Sequence, residues 1–202
     1  MVNNFELIRP LLKWDNDDQF YFLQILQRKK DHTEGMKVSG ANNNSRLIKA
    51  YYVKSLDYLE FVEPEIIALC ELFNARAGIN LNRRSFRKTA LKNLKLVTDN
   101  IINENYDKVY KTYSSAAGKF MHDNNKKWII DLDGEEENHF DFIFNMHTFL
   151  NNIEPEGDKT LCRIPSKSGS HIICSPFNME KFKKEYPSID VQKNNPTNLY
   201  IP

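Results

Sequence analysis

Residues 128–133 read Trp128-Ile129-Ile130-Asp131-Leu132-Asp133. In an extended strand, successive side chains point to opposite faces. Trp128, Ile130 and Leu132 therefore share one face, and Ile129, Asp131 and Asp133 the other. The first face is apolar throughout and needs a hydrophobic layer against it. The second turns acidic toward its end. Two carboxylates two residues apart on one strand face lie within reach of one shared cation, and without it they repel each other. Their natural partner is a hard, oxygen-loving ion, Mg²⁺ or Mn²⁺, which keeps open positions for the phosphates of a substrate. An ordinary strand end with two solvated acids satisfies the same stretch.

Downstream of this strand, Glu135 to Ile153 carries Phe140, Ile143, Phe144, His147 and Leu150 at helical spacing, which predicts a helix with those side chains inward. Lys159–Pro165 reads as a strand, Ser166–Ser170 as a tight turn and His171–Pro176 as the returning strand. Asn178 is placed to cap a helix over Met179–Tyr186, and Ser188–Gln192 and Asn198–Ile201 close the chain as short strands. Upstream, Phe5 to Trp14 reads as an edge helix or strand. Phe20–Leu26 and Arg46–Lys54 read as two strands joined by a polar loop, His32 to Ser45. Leu56–Asn74 has the apolar spacing of a helix with Pro64 at a first turn or kink, and Ala75–Asn82 alternates as a strand. Two helices fit Thr89 to about Phe120. The expectation is one α/β (α+β) domain over residues 1–202. It has a strand-rich half (1–88), a helical segment (89–126) and a second half (127–202) that carries the chemistry.

Hydrophobic residues make up 41% of the chain and charged residues 27%, which is ordinary globular usage and excludes wholesale disorder. The formal net charge is +1, from 28 basic and 27 acidic residues, so any nucleic-acid binding must come from a local patch. Cys70, Cys162 and Cys174 are odd in number and far apart, which points to buried free thiols in a reducing compartment rather than to disulfides or zinc. With no signal-peptide pattern and no apolar run of bilayer length, a cytoplasmic location without a membrane partner is expected.

Further groups suit phosphate chemistry. In Ser166-Lys167-Ser168-Gly169-Ser170-His171, Gly169 permits a sharp turn with exposed amides, while Lys167 and His171 add donors. The same residues also satisfy a plain hairpin turn. Arg83, Arg84, Arg87 and Lys88 follow a strand and open a helix, where phosphate or nucleic acid can meet helix amides; a solvated helix start is the alternative. Asp190 brings a third carboxylate if its strand lies beside Trp128–Asp133. His139, His147 and the acidic first turn Glu135-Glu136-Glu137 are assigned no role.

The order Ile129-Ile130-Asp131-Leu132-Asp133, then Gly169-Ser170-His171, then Ile189-Asp190 resembles the archaeo-eukaryotic primase superfamily, which includes primase-polymerases. The resemblance covers Trp128 to Ile201. It implies a modified RNA-recognition-like core, a mixed sheet with packed helices, and divalent metal ions held by Asp131, Asp133 and Asp190. It further implies that His171 contacts the incoming nucleotide, with Lys167, Ser168, Gly169 and Ser170 beside it. The expected activity is a DNA primase or nucleotidyltransferase that makes or extends primers on single-stranded DNA from nucleoside triphosphates by a two-metal mechanism. A separate protein would supply any helicase. A non-catalytic nucleotide- or nucleic-acid-binding accessory protein and a metal-dependent nuclease remain the alternatives.

Overall fold

A computed structural model describes residues 1–28, 45–119, 124–134 and 140–202 of the chain, Phe140 by its backbone alone. In chain order the strands are β1 (Val2–Asn3), β2 (Gln19–Arg28), β3 (Ser45–Val53), β4 (Arg76–Ile79), β5 (Arg84–Ser85), β6 (Trp128–Asp133), β7 (Thr160–Pro165), β8 (Gly169–Cys174), β9 (Asp190–Gln192) and β10 (Thr197–Ile201). The α-helices are α1 (Phe5–Ile8), α2 (Leu56–Phe73), α3 (Phe86–Ile102), α4 (Thr112–Lys119), α5 (Phe140–Asn152) and α6 (Met179–Glu185). Short 3-10 turns cover Arg9–Leu11 and Tyr106–Lys111. The mixed α and β composition expected from the sequence is present. In place of the mixed sheet that the resemblance implies, the described strands form two sheets whose pairings are all antiparallel.

The first sheet runs β1-β10-β4-β2-β3, with β5 also on β2. Its central strand β2 is apolar on both faces because both are covered. Tyr21, Leu23 and Ile25 join Leu59, Val62, Ile66 and Cys70 of α2 in one core. Phe20 and Phe22 face the other way, onto Ala117 of α4 and Phe86 of α3. Helix α2 begins where the Ser55 hydroxyl accepts from the Tyr58 amide at 3.1 Å, and it ends at Asn74, whose φ of 43° turns the chain out of the helix. Pro64 lies inside α2 rather than at its first turn; it is on the solvent side.

The second sheet runs β7-β8-β6-β9. Ile130, Leu132, Ile172 and Cys174 pack on Met146 and Leu150 of α5 and Phe182 of α6, whereas Ile129, Ile164 and Ile173 join the core of the first sheet. The inward face of α5 is shifted from the sequence expectation: Met146 is fully buried and Phe144 is 61% exposed. Aromatic residues line that helix nearly all round, so periodicity alone does not choose its inner face. The acidic turn Glu135-Glu136-Glu137 and the polar loop expected over His32 to Ser45 fall, except for Ser45, outside the described residues, as does His139. Lys159 is 3% exposed and its ammonium donates to the Leu150 carbonyl near the end of α5 at 2.6 Å and to the Gly157 carbonyl at 3.0 Å.

The turn joining β7 to β8 presses on the end of β6. A Cβ on Gly169 would lie 1.9 Å from the Leu132 carbonyl oxygen, and one on Gly134 would lie 2.9 Å from that of Ser168. Gly169→Ala is therefore expected to destabilise the fold by roughly 2 kcal/mol, because backbone rather than a flexible side chain would have to move. Urea unfolding measures it; an unchanged midpoint would show that the turn does not bear on β6 this closely.

Candidate functional site

Strand β6 is paired on both sides, and its register assembles the site. Asp131 stands opposite His171 of β8 and opposite Asp190 of β9, and Asp133 stands opposite Gly169. Directly opposed residues share a face, so Asp131, Asp133, His171 and Asp190 all project on the side that carries Ile129 and Ile173. That side is apolar where it adjoins the first sheet and becomes charged where the two sheets part. The cleft there has a volume of about 190 Å³ and is lined by residues that include Asp131, Asp133, Lys167, Ser168 and His171. The first sheet adds Arg28 from the end of β2 and Arg76 from the start of β4.

The side chains of this cleft hold one another in place. His171, 7% exposed, shares a hydrogen bond of 2.9 Å between its Nδ1 and the hydroxyl of the fully buried Thr197. Its Nε2 is thereby directed at Asp131, 3.3 Å from Oδ1. Gln192 donates through Nε2 to Asp131 Oδ2 at 3.1 Å and to Asp190 Oδ2 at 2.9 Å. The hydrogen bond from His171, above all, holds the Asp131 carboxyl below its usual pKa; the positive side of His171, Gln192 and Arg28 act in the same direction against the opposing effect of burial. The mutual repulsion expected of these acids is thus relieved by protein donors even without a cation.

The remaining expected residues divide. Ser170 lies on the opposite face of β8, with Ile172, and its buried hydroxyl accepts from Arg163 Nε at 2.8 Å; it does not reach the cleft. Gly169 serves the close approach to β6. Asp190 is exposed beside the cleft, tied to Asp131 through Gln192.

The basic run is mostly committed inside the fold. Arg84 is 1% exposed; its guanidinium donates to the Ala117 carbonyl at 3.0 Å, to Asn194 Oδ1 at 2.7 Å and to the Asn82 carbonyl. Arg83 is buried against Asp15, with N···O 2.6 Å. The helix start where phosphate was expected is occupied by Asp18, whose carboxylate accepts from the Ser85 hydroxyl at 2.5 Å and the Arg87 amide at 2.8 Å. These bonds, Ser85 first, lower the pKa of Asp18. Only Arg87 and Lys88 of the run are exposed.

Among the described residues, no three His, Cys, Asp or Glu side chains converge tightly enough to hold an ion as they stand. The donor chemistry nevertheless fits a hard divalent cation. Between Asp131 and Asp190 the protein already holds a positively polarised group, the Gln192 amide nitrogen, and a cation in its place would meet a carboxylate oxygen from each.

Comparisons with protein-family models, with curated proteins and with solved structures found no match to this chain. No helix among the described residues is long and apolar enough to cross a membrane.

Two expectations follow. Arg84→Ala should cost roughly 3 kcal/mol in urea unfolding, since it strips buried carbonyl groups of their donor; a loss within experimental error would remove Arg84 from the framework. Asp131→Asn should destabilise the metal-free protein by about 1 kcal/mol near neutral pH, because the carboxylate is better solvated by its neighbours than in the unfolded chain. The folded pKa of Asp131 lies below its ordinary 3.8, so this stabilisation is present above that value and is lost as pH falls through the depressed pKa. Melting parent and variant in chelator from neutral pH to below about 4 should show the gap closing. A variant more stable than the parent at neutral pH would mean that repulsion dominates.

Proposed function

We propose that this chain is a primase-like nucleotidyltransferase that makes or extends primers on single-stranded DNA, using nucleoside triphosphates and Mg²⁺ or Mn²⁺. The observation that carries this reading is the register of β6, which seats Asp131 between His171 and Asp190 in a cleft that also holds Arg28, Arg76 and Lys167. Carboxylates and phosphate-binding cations in one cleft match the two sides of a metal-bound triphosphate. At about 190 Å³ the cleft falls below the roughly 300–1,000 Å³ of sites that enclose a drug-sized ligand. It suits a phosphate chain, with sugar and base lying toward the open side.

In the proposed reaction the 3′ oxygen of the primer attacks the α-phosphorus. The bond from that phosphorus to the bridging oxygen breaks, pyrophosphate leaves, and the 3′-hydroxyl proton passes to solvent. When bound, a divalent cation supplies charge neutralisation and favours loss of that proton. Arg28, Arg76 and Lys167 bear on the triphosphate charge. His171, oriented by Thr197, would offer Nε2 to a phosphate oxygen. Asp131, Asp133 and Asp190 would hold the cations, and any helicase would act from a separate chain.

The test is incubation with single-stranded DNA, labelled nucleotides and Mn²⁺ or Mg²⁺. New oligonucleotides are the expected product. Shortened DNA would identify a nuclease instead, and binding without product an accessory protein. Asp131→Asn and Asp133→Asn should each reduce incorporation by at least about 100-fold. Arg28→Ala should raise the nucleotide KM about tenfold, as loss of one charge-assisted phosphate contact predicts. An unchanged KM would take Arg28 out of the binding site.

A further inference from the structure

Helix α2 packs on one face of the first sheet, α3 starts at Phe86 on the other and runs along α4, and the two helices carry opposite charge. Helix α2 contains Asp57, Glu60, Glu63, Glu65 and Glu71 and no lysine or arginine, whereas α3 contains Arg87, Lys88, Lys92 and Lys95 against Asp99 alone. Of the α2 acids, Glu63 is paired with Arg9 and Glu65 with Lys49, each at 2.5 Å; among the described residues Asp57, Glu60 and Glu71 make no ion pair.

Each helix also leaves apolar surface uncovered. The only fully buried side chain of α3 is Thr89. Leu91, Leu94, Ile101 and Ile102 are 58%, 62%, 50% and 72% exposed, and steps of three, seven and one residues keep all four as a ridge on one side of a helix of roughly 3.6 residues per turn. Beside α2 runs a groove of about 630 Å³ lined by Pro64, Ile67 and Ala68, by Glu60 and Glu71, and by the mutually paired Arg9 and Glu63.

We propose that the α3 ridge of one copy of this chain docks into the α2 groove of another. A nucleic acid would use the cations of α3 but leave four aliphatic side chains against solvent. An acidic groove lined in part by apolar side chains accommodates both. The sheet lies between the two helices, so no copy can fill its own groove, and the contact joins two different patches. Such a contact is heterologous, and it generates a growing row unless the rotation closes a ring.

Sedimentation velocity of the full chain over a concentration series tests this. The weight-average sedimentation coefficient should rise with concentration at about 50 mM salt and rise less at about 500 mM, where the charges are screened. Ala68→Lys puts a cation in the groove and Leu94→Glu puts an acid on the ridge. Both sites are exposed helix positions, and near-UV circular dichroism checks that each variant keeps the parent fold. Each variant alone should self-associate at least tenfold more weakly than the parent. An equimolar mixture should form a 1:1 pair that grows no further, because the Leu94→Glu copy keeps its groove and the Ala68→Lys copy its ridge. Two results would overturn the proposal: a parent that stays monomeric at every concentration and salt, which loss of single-stranded DNA binding in Leu94→Glu would turn into a nucleic-acid reading of the ridge; or association abolished by Leu94→Glu but untouched by Ala68→Lys, which would mean ridge against ridge.

Discussion

The constraint on which the rest of the site depends is the apolar anchoring of β6. Ile130 and Leu132 are fully buried against α5 and α6, and Ile129 is buried in the core of the first sheet. Side chains alternate with a period of two, so a slip of one residue would send Asp131 and Asp133 into the α5–α6 core and Ile130 and Leu132 into the cleft. Burying an unpaired carboxylate there would cost several kcal/mol, which leaves one register open to the strand. The hydrophobic residues thus position the acids. Strands β8 and β9 then have to deliver whatever stands opposite Asp131, namely His171 and Asp190.

Much of this was legible from local pattern. The alternation in β6, the helical spacing in α2 and the turn before His171 are short-range signals, and the corresponding elements occur where the sequence places them to within a few residues. Residues brought in from distant segments were not legible. Arg28 ends β2 and Arg76 starts β4, and nothing local aims either at Asp131. Gln192 and Thr197 are likewise functional neighbours only because β9 and β10 end beside β6 and β8. The basic run was misleading for a different reason. A cluster of arginines gives charge but not direction, and here buried carbonyls and Asp15 draw Arg83 and Arg84 inward. For Ser170 the signal was present: neighbours on a strand face opposite ways, so it and His171 cannot both enter the cleft.

The site also shows how a protein can keep carboxylates close together with its own donors. Two acids on neighbouring strands would raise one another's pKa. Here Gln192 bridges them, and His171, steadied by Thr197, donates to Asp131, so that Asp131 is held ionised. Preorganisation of this kind removes part of the work of assembling a metal site, since the ligand side chains are already oriented and charged. It also couples the histidine to the acids: whatever draws Asp131 away frees Nε2 for another acceptor. On the proposed function, in which His171 meets the nucleotide, its contact with Asp131 is a physical route by which cation and nucleotide would bind in concert.

A net charge of +1 conceals an uneven distribution. The acids of α2 and the bases of α3 are separated by the thickness of the first sheet with its covering side chains. With a layer spacing of about 10 Å on each side of the sheet, the two helices lie roughly 20 Å apart, about twice the Debye length of roughly 8–10 Å near physiological salt. Each face therefore acts on its own surroundings largely unscreened by the other, and the near-neutral total says little about what either face attracts. The apolar residues on both helices strengthen the point, because charge alone would keep these surfaces solvated while exposed aliphatic ridges favour being covered. A chain with one acidic apolar groove and one basic apolar ridge, facing opposite ways, is complementary to itself.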